Sequence, residues 1–251
     1  MSFTVVIPAR YQSTRLPGKM LLDVGGKPMV LRVVERAQLS KAAAVYVATD
    51  DERIRSVCQS AGVTVLMTNP QHTSGTDRIA EVAQQLGLRD DAVIVNVQGD
   101  EPLLPPAAIN QVAANLAARP ETGICTLYAP VADEAEFRNP NAVKLVTDAQ
   151  GRVLYFSRAP IPWPRDGLTT ARLALGKRHI GLYAYRVKVL KQFVTWPVSA
   201  LEESEKLEQL RAMAHGITIH AEQSCAFIPP GVDTQDDLDH VRRLIRTGVG
   251  Q

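Results

Sequence analysis

Five short runs of apolar and β-branched residues recur through the first half of the chain: FTVVIP (3–8), AVYVATD (44–50), VTVLM (63–67), AVIVNV (92–97) and GICTLYAP (123–130). Several are apolar throughout rather than alternating, as strands covered on both faces are. Between them lie stretches patterned as helices. KPMVLRVVERAQLSK brings Met29, Val33 and Leu39 near helical spacing, and DERIRSVCQSAG ends in a glycine suited to a helix C-terminus. Strand, helix and strand at this rhythm imply right-handed crossovers, so the expected fold is α/β with a doubly wound, mostly parallel sheet.

A length of 251 residues with 45% hydrophobic side chains is enough for one large core. From about 129 to 185 the rhythm loosens into Pro-rich and aromatic sequence, which reads as a subdomain inserted in a single domain spanning 1–251. After it, EESEKLEQLRAMAHG and TQDDLDHVRRLIRTG read as two helices separated by a strand, ITIHAE. The 28 basic and 26 acidic residues nearly balance and form no polybasic tail, which argues against nucleic-acid or membrane-surface binding. Three cysteines, 58, 125 and 225, are too far apart for a zinc site or a disulfide framework, which favours a reducing compartment. With no leader-like N-terminus and no run of about 18 apolar residues, the expected location is the cytoplasm.

Ligands of doubly wound sheets sit at the carboxyl ends of the strands. Two such ends stand out. The first strand runs into RYQSTRLPGK, which gathers Arg10, Ser13, Arg15, Gly18 and Lys19 where cations and backbone N–H groups can hold phosphate. Its spacing is neither that of a Walker loop nor of a dinucleotide fingerprint. The run NVQGDEPLL ends a strand in Gln98, Gly99 and Asp100, a carboxylate placed to hold Mg²⁺ beside a glycine that admits a ligand. A solvated basic loop and an ordinary Asp-Pro turn are the plain alternatives, and the pair is more specific than either alone.

Taken in order, IPARYQSTRLPGK, HTSGTDR, NVQGDEP, SRAPIPWPRD, HIGLYAYR, LEQLR and GVDTQDDL resemble the 3-deoxy-manno-octulosonate (KDO) cytidylyltransferases over nearly the whole chain. The resemblance implies a Rossmann-like nucleotide-diphospho-sugar transferase fold that forms a homodimer. It implies transfer of CMP from CTP to the sugar acid KDO, with Mg²⁺ and release of pyrophosphate, in bacterial lipopolysaccharide synthesis. Arg10, Ser13, Arg15 and Lys19 are then expected on the phosphates, and Arg78 on the base edge, in a loop whose helix is capped by Asp77 or Thr76. Asp100 pairs with Asp233 on the metal, although Asp233 also reads as part of the cap of the last helix, where Thr234 to Asp237 looks like a capping box.

Gln98, Arg158, Arg165, His179, Tyr183, Glu208 and Gln209 match positions the family uses for the sugar acid, and Gln98 and Asp100 match positions near the nucleotide as well. Glu208 lies beside an apolar stripe of Leu207, Leu210 and Ala214. Glu202, Glu203 and Glu205 read as solvated, Trp163 and Trp196 as packing residues, and His179 as an alternative proton acceptor. Two other readings stay open: a cytidylyltransferase for another acidic sugar, of sialic acid or amino-KDO type, and a nucleotide-binding module without turnover.

Overall fold

The computed structural model describes residues 2–72 and 74–247. Strands β1 (Thr4–Ala9), β2 (Ala44–Thr49), β3 (Val65–Met67) and β4 (Val93–Asn96) are parallel. They alternate with helices α1 (Met29–Gln38), α2 (Glu52–Ser60) and α3 (Gly75–Gln85). After α4 (Pro106–Ala117) come β5 (Ile124–Pro130), α5 (Glu134–Arg138), the hairpin β6 (Lys144–Thr147) and β7 (Val153–Ser157), and α6 (Thr170–Leu173). Next are β8 (Lys177–Arg186), α7 (Val187–Phe193), α8 (Ala200–Glu205), α9 (Gln209–Ala214), β9 (Ile219–Gln223) and α10 (Gln235–Arg246).

Among the described residues nine strands form one sheet, with main order β3-β2-β1-β4-β8-β5-β9 and the β6–β7 hairpin attached to the start of β8. Strand β8 is antiparallel to both of its main-path neighbours, β4 and β5. The segment 129–185 therefore contains both the hairpin and most of a strand in the middle of the sheet.

Alternation along β1 explains the two layers. Val5 and Ile7 pack with α1, α4 and α10 on one face, while Val6 packs with α3, α7 and α9 on the other. Each fully buried Val, Ile or Leu contributes about 1.5–3 kcal/mol, so both faces need helices. Met29, Val30, Val33, Val34 and Ala37 form the buried stripe of α1; Leu39 lies past the helix end and is 65% exposed, unlike the expected stripe.

The helix expected over EESEKLEQLRAMAHG is broken in two, because Lys206 takes a left-handed conformation with φ 51° between α8 and α9. The buried stripe is Leu207, Leu210 and Ala212, not Ala214. Glu202 is buried against Arg211, and Glu205 accepts from the Ser157 hydroxyl and the Arg158 backbone, so neither is merely solvated. Trp196 stacks on His215, as a packing residue does, whereas Trp163 is 58% exposed.

Candidate active site

The carboxyl ends of β1 and β4 and the turn before α10 meet at one point. Past β1 the chain loops out and returns at Gly18, whose φ of 66° suits glycine, to start a short 3₁₀ turn, Lys19–Leu21. Past β4, a Cβ on Gly99 would lie 2.8 Å from the Met20 sulfur and 2.9 Å from the Pro8 carbonyl oxygen. Gly99 thus serves close packing of Asp100 against the first loop, and not the approach of a ligand as expected from sequence. The third segment is tied in by the Val232 N–H, which donates to the Asp100 carbonyl at 2.9 Å.

Lys19 is the hub. Its Nζ donates to Asp100 Oδ2 (2.7 Å), the Val232 carbonyl (2.9 Å) and Asp233 Oδ1 (3.1 Å), and Arg15 reaches the same Asp233 oxygen at 2.9 Å. The capping-box expectation for α10 holds: Thr234 accepts from the Asp237 N–H, and Asp237 accepts from the Thr234 and Asp233 N–H groups. Asp233 is consequently not the cap, and its carboxylate turns to the cations. Asp100 and Asp233 line a cleft of about 1090 Å³ with Glu101, Arg178, His179 and Gly231.

A second cleft, of about 720 Å³, lies between α3, β4, β8 and the α8–α9 break, and is lined by Thr76, Asn96, Gln98, Tyr183, Tyr185 and Glu208, among others. A bulge in β8 connects the two. Thr126 pairs with Tyr183 but Leu127 with Ile180, which leaves two extra residues on β8. A regular strand separates residues four apart by about 13 Å. Here the His179 and Tyr183 rings lie 5.2 Å apart, with the Thr126 hydroxyl 3.1 Å from His179 Nε2. His179 thereby lines the first cleft while Tyr183 lines the second.

Unpartnered buried atoms mark this region. Arg10 Nη2, Asn96 Oδ1, Tyr183 OH, Glu208 Oε1 and Gln209 Nε2 are all buried without a hydrogen-bond partner. Each such group costs about 1–3 kcal/mol unless something else satisfies it. Burial also holds the Arg10 pKa below its ordinary value, with help from Arg78, and pushes the Glu208 carboxyl up. Glu101 is pushed up to about 8 by burial and then by Asp100, so it is largely protonated at pH 7. His179 is driven down to about 3 by burial and then by Arg178. It is neutral across the physiological range, and so low a pKa makes it a weak base.

Not every expected site residue faces a cleft. Arg78 is fully buried, donating to the Thr68 hydroxyl and lying 3.2 Å from Asp50, while its Nε and Nη2 find no hydrogen-bond partner. Arg158 donates to the carbonyls of Glu205, Lys206 and Pro140; those bonds lock the α8–α9 break and leave it little for a sugar acid. Arg165 is exposed in the loop after β7 and lines neither cleft. Ser13 Oγ accepts from the Leu16 N–H within its own loop at 3.4 Å. The cap of α3 is Ser74, returned by Asp77, rather than Asp77 or Thr76; Thr73 of the same motif lies outside the described residues.

Among the residues lining the second cleft, Asn96 and Tyr185 do not stand out in the sequence, and Thr76 does so only as a cap candidate. A polar residue ending the apolar run VIVN was the available signal for Asn96.

The oxygens around the Lys19 ammonium, Asp100 Oδ2, Asp233 Oδ1 and the Val232 carbonyl, are the hard donors a Mg²⁺ ion takes. Among the described residues no group of three or more His, Cys, Asp and Glu forms a ligand set. Two carboxylates therefore suit a cation that draws its remaining ligands from substrate phosphates and water.

Comparison with known proteins agrees with this geometry. The cytidylyltransferase family model matches residues 4–219. The 3-deoxy-manno-octulosonate cytidylyltransferase of Cellvibrio japonicus (strain Ueda107) is 54% identical, covering 99% of this chain and 100% of that protein. The protein of the same name from Alcanivorax borkumensis is 56% identical, over 96% and 98%. A solved structure of CMP:2-keto-3-deoxy-manno-octonic acid synthetase complexed with CTP superposes with a TM-score of 0.90 at 42% identity, over 98% of this chain and 99% of that one. With a cluster of cations and carboxylates at the strand ends and relatives this similar along its whole length, the chain belongs to the cytidylyltransferase family.

Proposed function

We infer that this enzyme activates KDO with CTP, forming CMP-KDO and pyrophosphate for bacterial lipopolysaccharide synthesis. One observation carries the reading: a charge cluster of Lys19, Arg15, Asp100 and Asp233 stands beside a cleft whose buried polar atoms lack partners. The first end suits a triphosphate. The second suits a molecule rich in hydroxyls, which repays the desolvation of those atoms by hydrogen bonding.

In this reading the anomeric hydroxyl of the sugar acid attacks the α-phosphorus of CTP. The bond between the α-phosphorus and the bridging oxygen breaks, pyrophosphate departs, and the hydroxyl proton leaves to solvent. Catalysis is then mostly positioning and charge neutralisation. Arg10 supplies an N–H donor without a partner to a phosphoryl oxygen, and Arg15 clamps as a planar fork. Lys19, a point charge on a flexible stem, follows the negative charge from the carboxylates to the departing pyrophosphate. The Ser13 loop contributes backbone N–H groups.

Asp100 and Asp233 would hold Mg²⁺, which supplies charge neutralisation and lowers the pKa of a bound oxygen. Tyr183, Glu208, Gln209, Gln98 and neutral His179 orient the sugar acid. Arg78 fixes Asp50 and Thr68 at the ends of β2 and β3. The reading extends to a homodimer, for which Leu154, Trp163, Leu175 and Phe227 leave apolar surface exposed; no helix among the described residues is long and apolar enough to cross a membrane.

Pyrophosphate release measured with CTP, Mg²⁺ and a panel of sugar acids tests the assignment. KDO is expected to give the highest kcat/KM. A sialic acid or amino-KDO turned over faster replaces the sugar assignment, and no release with any sugar acid overturns the enzymatic reading.

A further inference from the structure

The His179 ring is held on three sides. Phe156 meets it edge-on with centroids 5.1 Å apart, Tyr183 lies at 5.2 Å, and the Thr126 hydroxyl stands 3.1 Å from Nε2. Thr126, on β5, is fully buried. Its hydroxyl also reaches across the β8 bulge to two carbonyl oxygens, those of Ile180 and Leu182, each at 2.9 Å.

These contacts decide which ring nitrogen carries the proton. A carbonyl oxygen only accepts, and a threonine hydroxyl has one proton to give. That proton lies on the carbonyl side. Turned toward His179, it would leave two carbonyl oxygens facing a bare hydroxyl oxygen in a fully buried place. Toward Nε2 the Thr126 oxygen therefore offers a lone pair, and Nε2 carries the N–H of the ring. The ring is neutral, so Nδ1 is bare. Nδ1 has no hydrogen-bond partner among the described residues and is not sealed in, and His179 lines the first cleft. A bare ring nitrogen repels carboxylate and phosphoryl oxygens and accepts from a hydroxyl.

We propose that Thr126 is a positioning residue that locks His179 as the Nε2–H tautomer, and that the Nδ1 acceptor so fixed, at the junction of the two clefts, reads one hydroxyl of the sugar acid. The proposal rests on the sugar-acid reading above and adds to it the sense of the contact: the ligand must donate at this point. An analogue without that hydroxyl leaves the acceptor unpaired, which a site built on hydrogen bonds punishes strongly.

The first test needs no substrate. In wild-type enzyme carrying isotope-labelled histidine, two-bond proton–nitrogen correlation spectra distinguish the tautomers, and the His179 signals are identified by their loss in His179→Gln. A protonated Nε2 and a bare Nδ1 are expected at neutral pH. Calorimetric binding and steady-state kinetics then use the sugar acid that the wild type turns over best, with its mono-deoxygenated and deoxyfluoro analogues. Thr126→Val, which removes the hydroxyl at nearly constant volume, is expected to raise the sugar-acid KM and Kd roughly tenfold. Its kcat and CTP KM should stay within about threefold, and Thr126→Ser should return to near the wild type. One deoxygenated analogue should bind the wild type about tenfold more weakly than the parent, and its fluorinated counterpart, which cannot donate, should bind as weakly. That penalty should shrink in Thr126→Val.

The proposal is overturned by an Nδ1–H tautomer in the wild type, by an unchanged sugar-acid Kd in Thr126→Val, by an equal rise in the CTP KM, by failure of Thr126→Ser to rescue, or by fluorinated analogues that all bind like the parent. Should Thr126→Val not fold, the wild-type tautomer and the fluorinated series still decide. If the wild type prefers a sugar acid other than KDO, the substrate assignment falls while the contact is judged on that acid.

Discussion

The two clefts that flank the end of β4 differ in how their polar groups are matched. Around Lys19 the charges answer one another: one ammonium serves two carboxylates and a carbonyl, and Arg15 adds a second cation. Around Glu208 and Tyr183, buried oxygens and nitrogens stand without partners. The Lys19 cluster is paired before substrates arrive, so a substrate enters there by exchanging ionic partners, although Glu101 Oε2 of the same cleft has no hydrogen-bond partner. The second is incomplete, and a ligand adds bonds that the free protein lacks. Neutralisation at one end and unmet hydrogen bonding at the other are what a reaction between a polyphosphate and a hydroxylated acid requires.

Removing a carboxylate breaks the comparison most sharply. Asp100→Asn is expected to lower kcat at least about a hundredfold, because it removes a charge from the point where charge is redistributed. Steady-state pyrophosphate release measures this, and a variant within threefold of the wild type contradicts the assigned role. Lys19→Met should lower kcat by about thirtyfold or more. It also leaves Asp100 without its cation and Asp233 with Arg15 alone, so the metal-free variant should melt lower than the wild type. Added Mg²⁺ should raise its Tm more than that of the wild type, in a scan run without CTP; equal responses would separate Lys19 from the two carboxylates.

The other cleft should respond differently. Glu208→Gln keeps the shape but weakens the acceptor, and should raise the sugar-acid KM about tenfold with little change for CTP. Equal rises for both substrates would merge the two regions into one.

The smallest effect is on stability. The folded pKa of Glu101, about 8, lies above its usual value of 4.5, so between these values the folded state holds a proton that the unfolded state has released. Stability therefore falls as pH rises through this window, by about 1 kcal/mol between pH 6 and 7. Denaturant unfolding of Glu101→Gln in metal-free buffer should lack that slope, and an unchanged slope would assign it to another group.

The alternating strands and helices of the first half were legible because covered parallel strands are apolar throughout and their helices carry amphipathic stripes. The central placement of β8 was not, since an antiparallel strand paired between β4 and β5 leaves no local signature in LYAYR. Asp100 and Asp233 were legible through their motifs, and the structure brings them together on Lys19. Arg158 shows the limit of transfer by motif: it is in the expected place in the chain, but its guanidinium is committed to the carbonyls of Glu205, Lys206 and Pro140. Asn96, Thr76 and Tyr185 come to line one cleft only after three separate elements pack, a long-range property that no window of sequence contains.

The most direct measurement is a crystal structure of the enzyme with Mg²⁺, the sugar acid and a non-hydrolysable CTP analogue. The account predicts phosphates on Arg10, Arg15 and Lys19, a metal between Asp100 and Asp233, and the sugar acid in the cleft of Asn96, Tyr183 and Glu208 with its anomeric oxygen facing the α-phosphorus. A sugar acid bound elsewhere, or phosphates remote from Asp100 and Asp233, would contradict it.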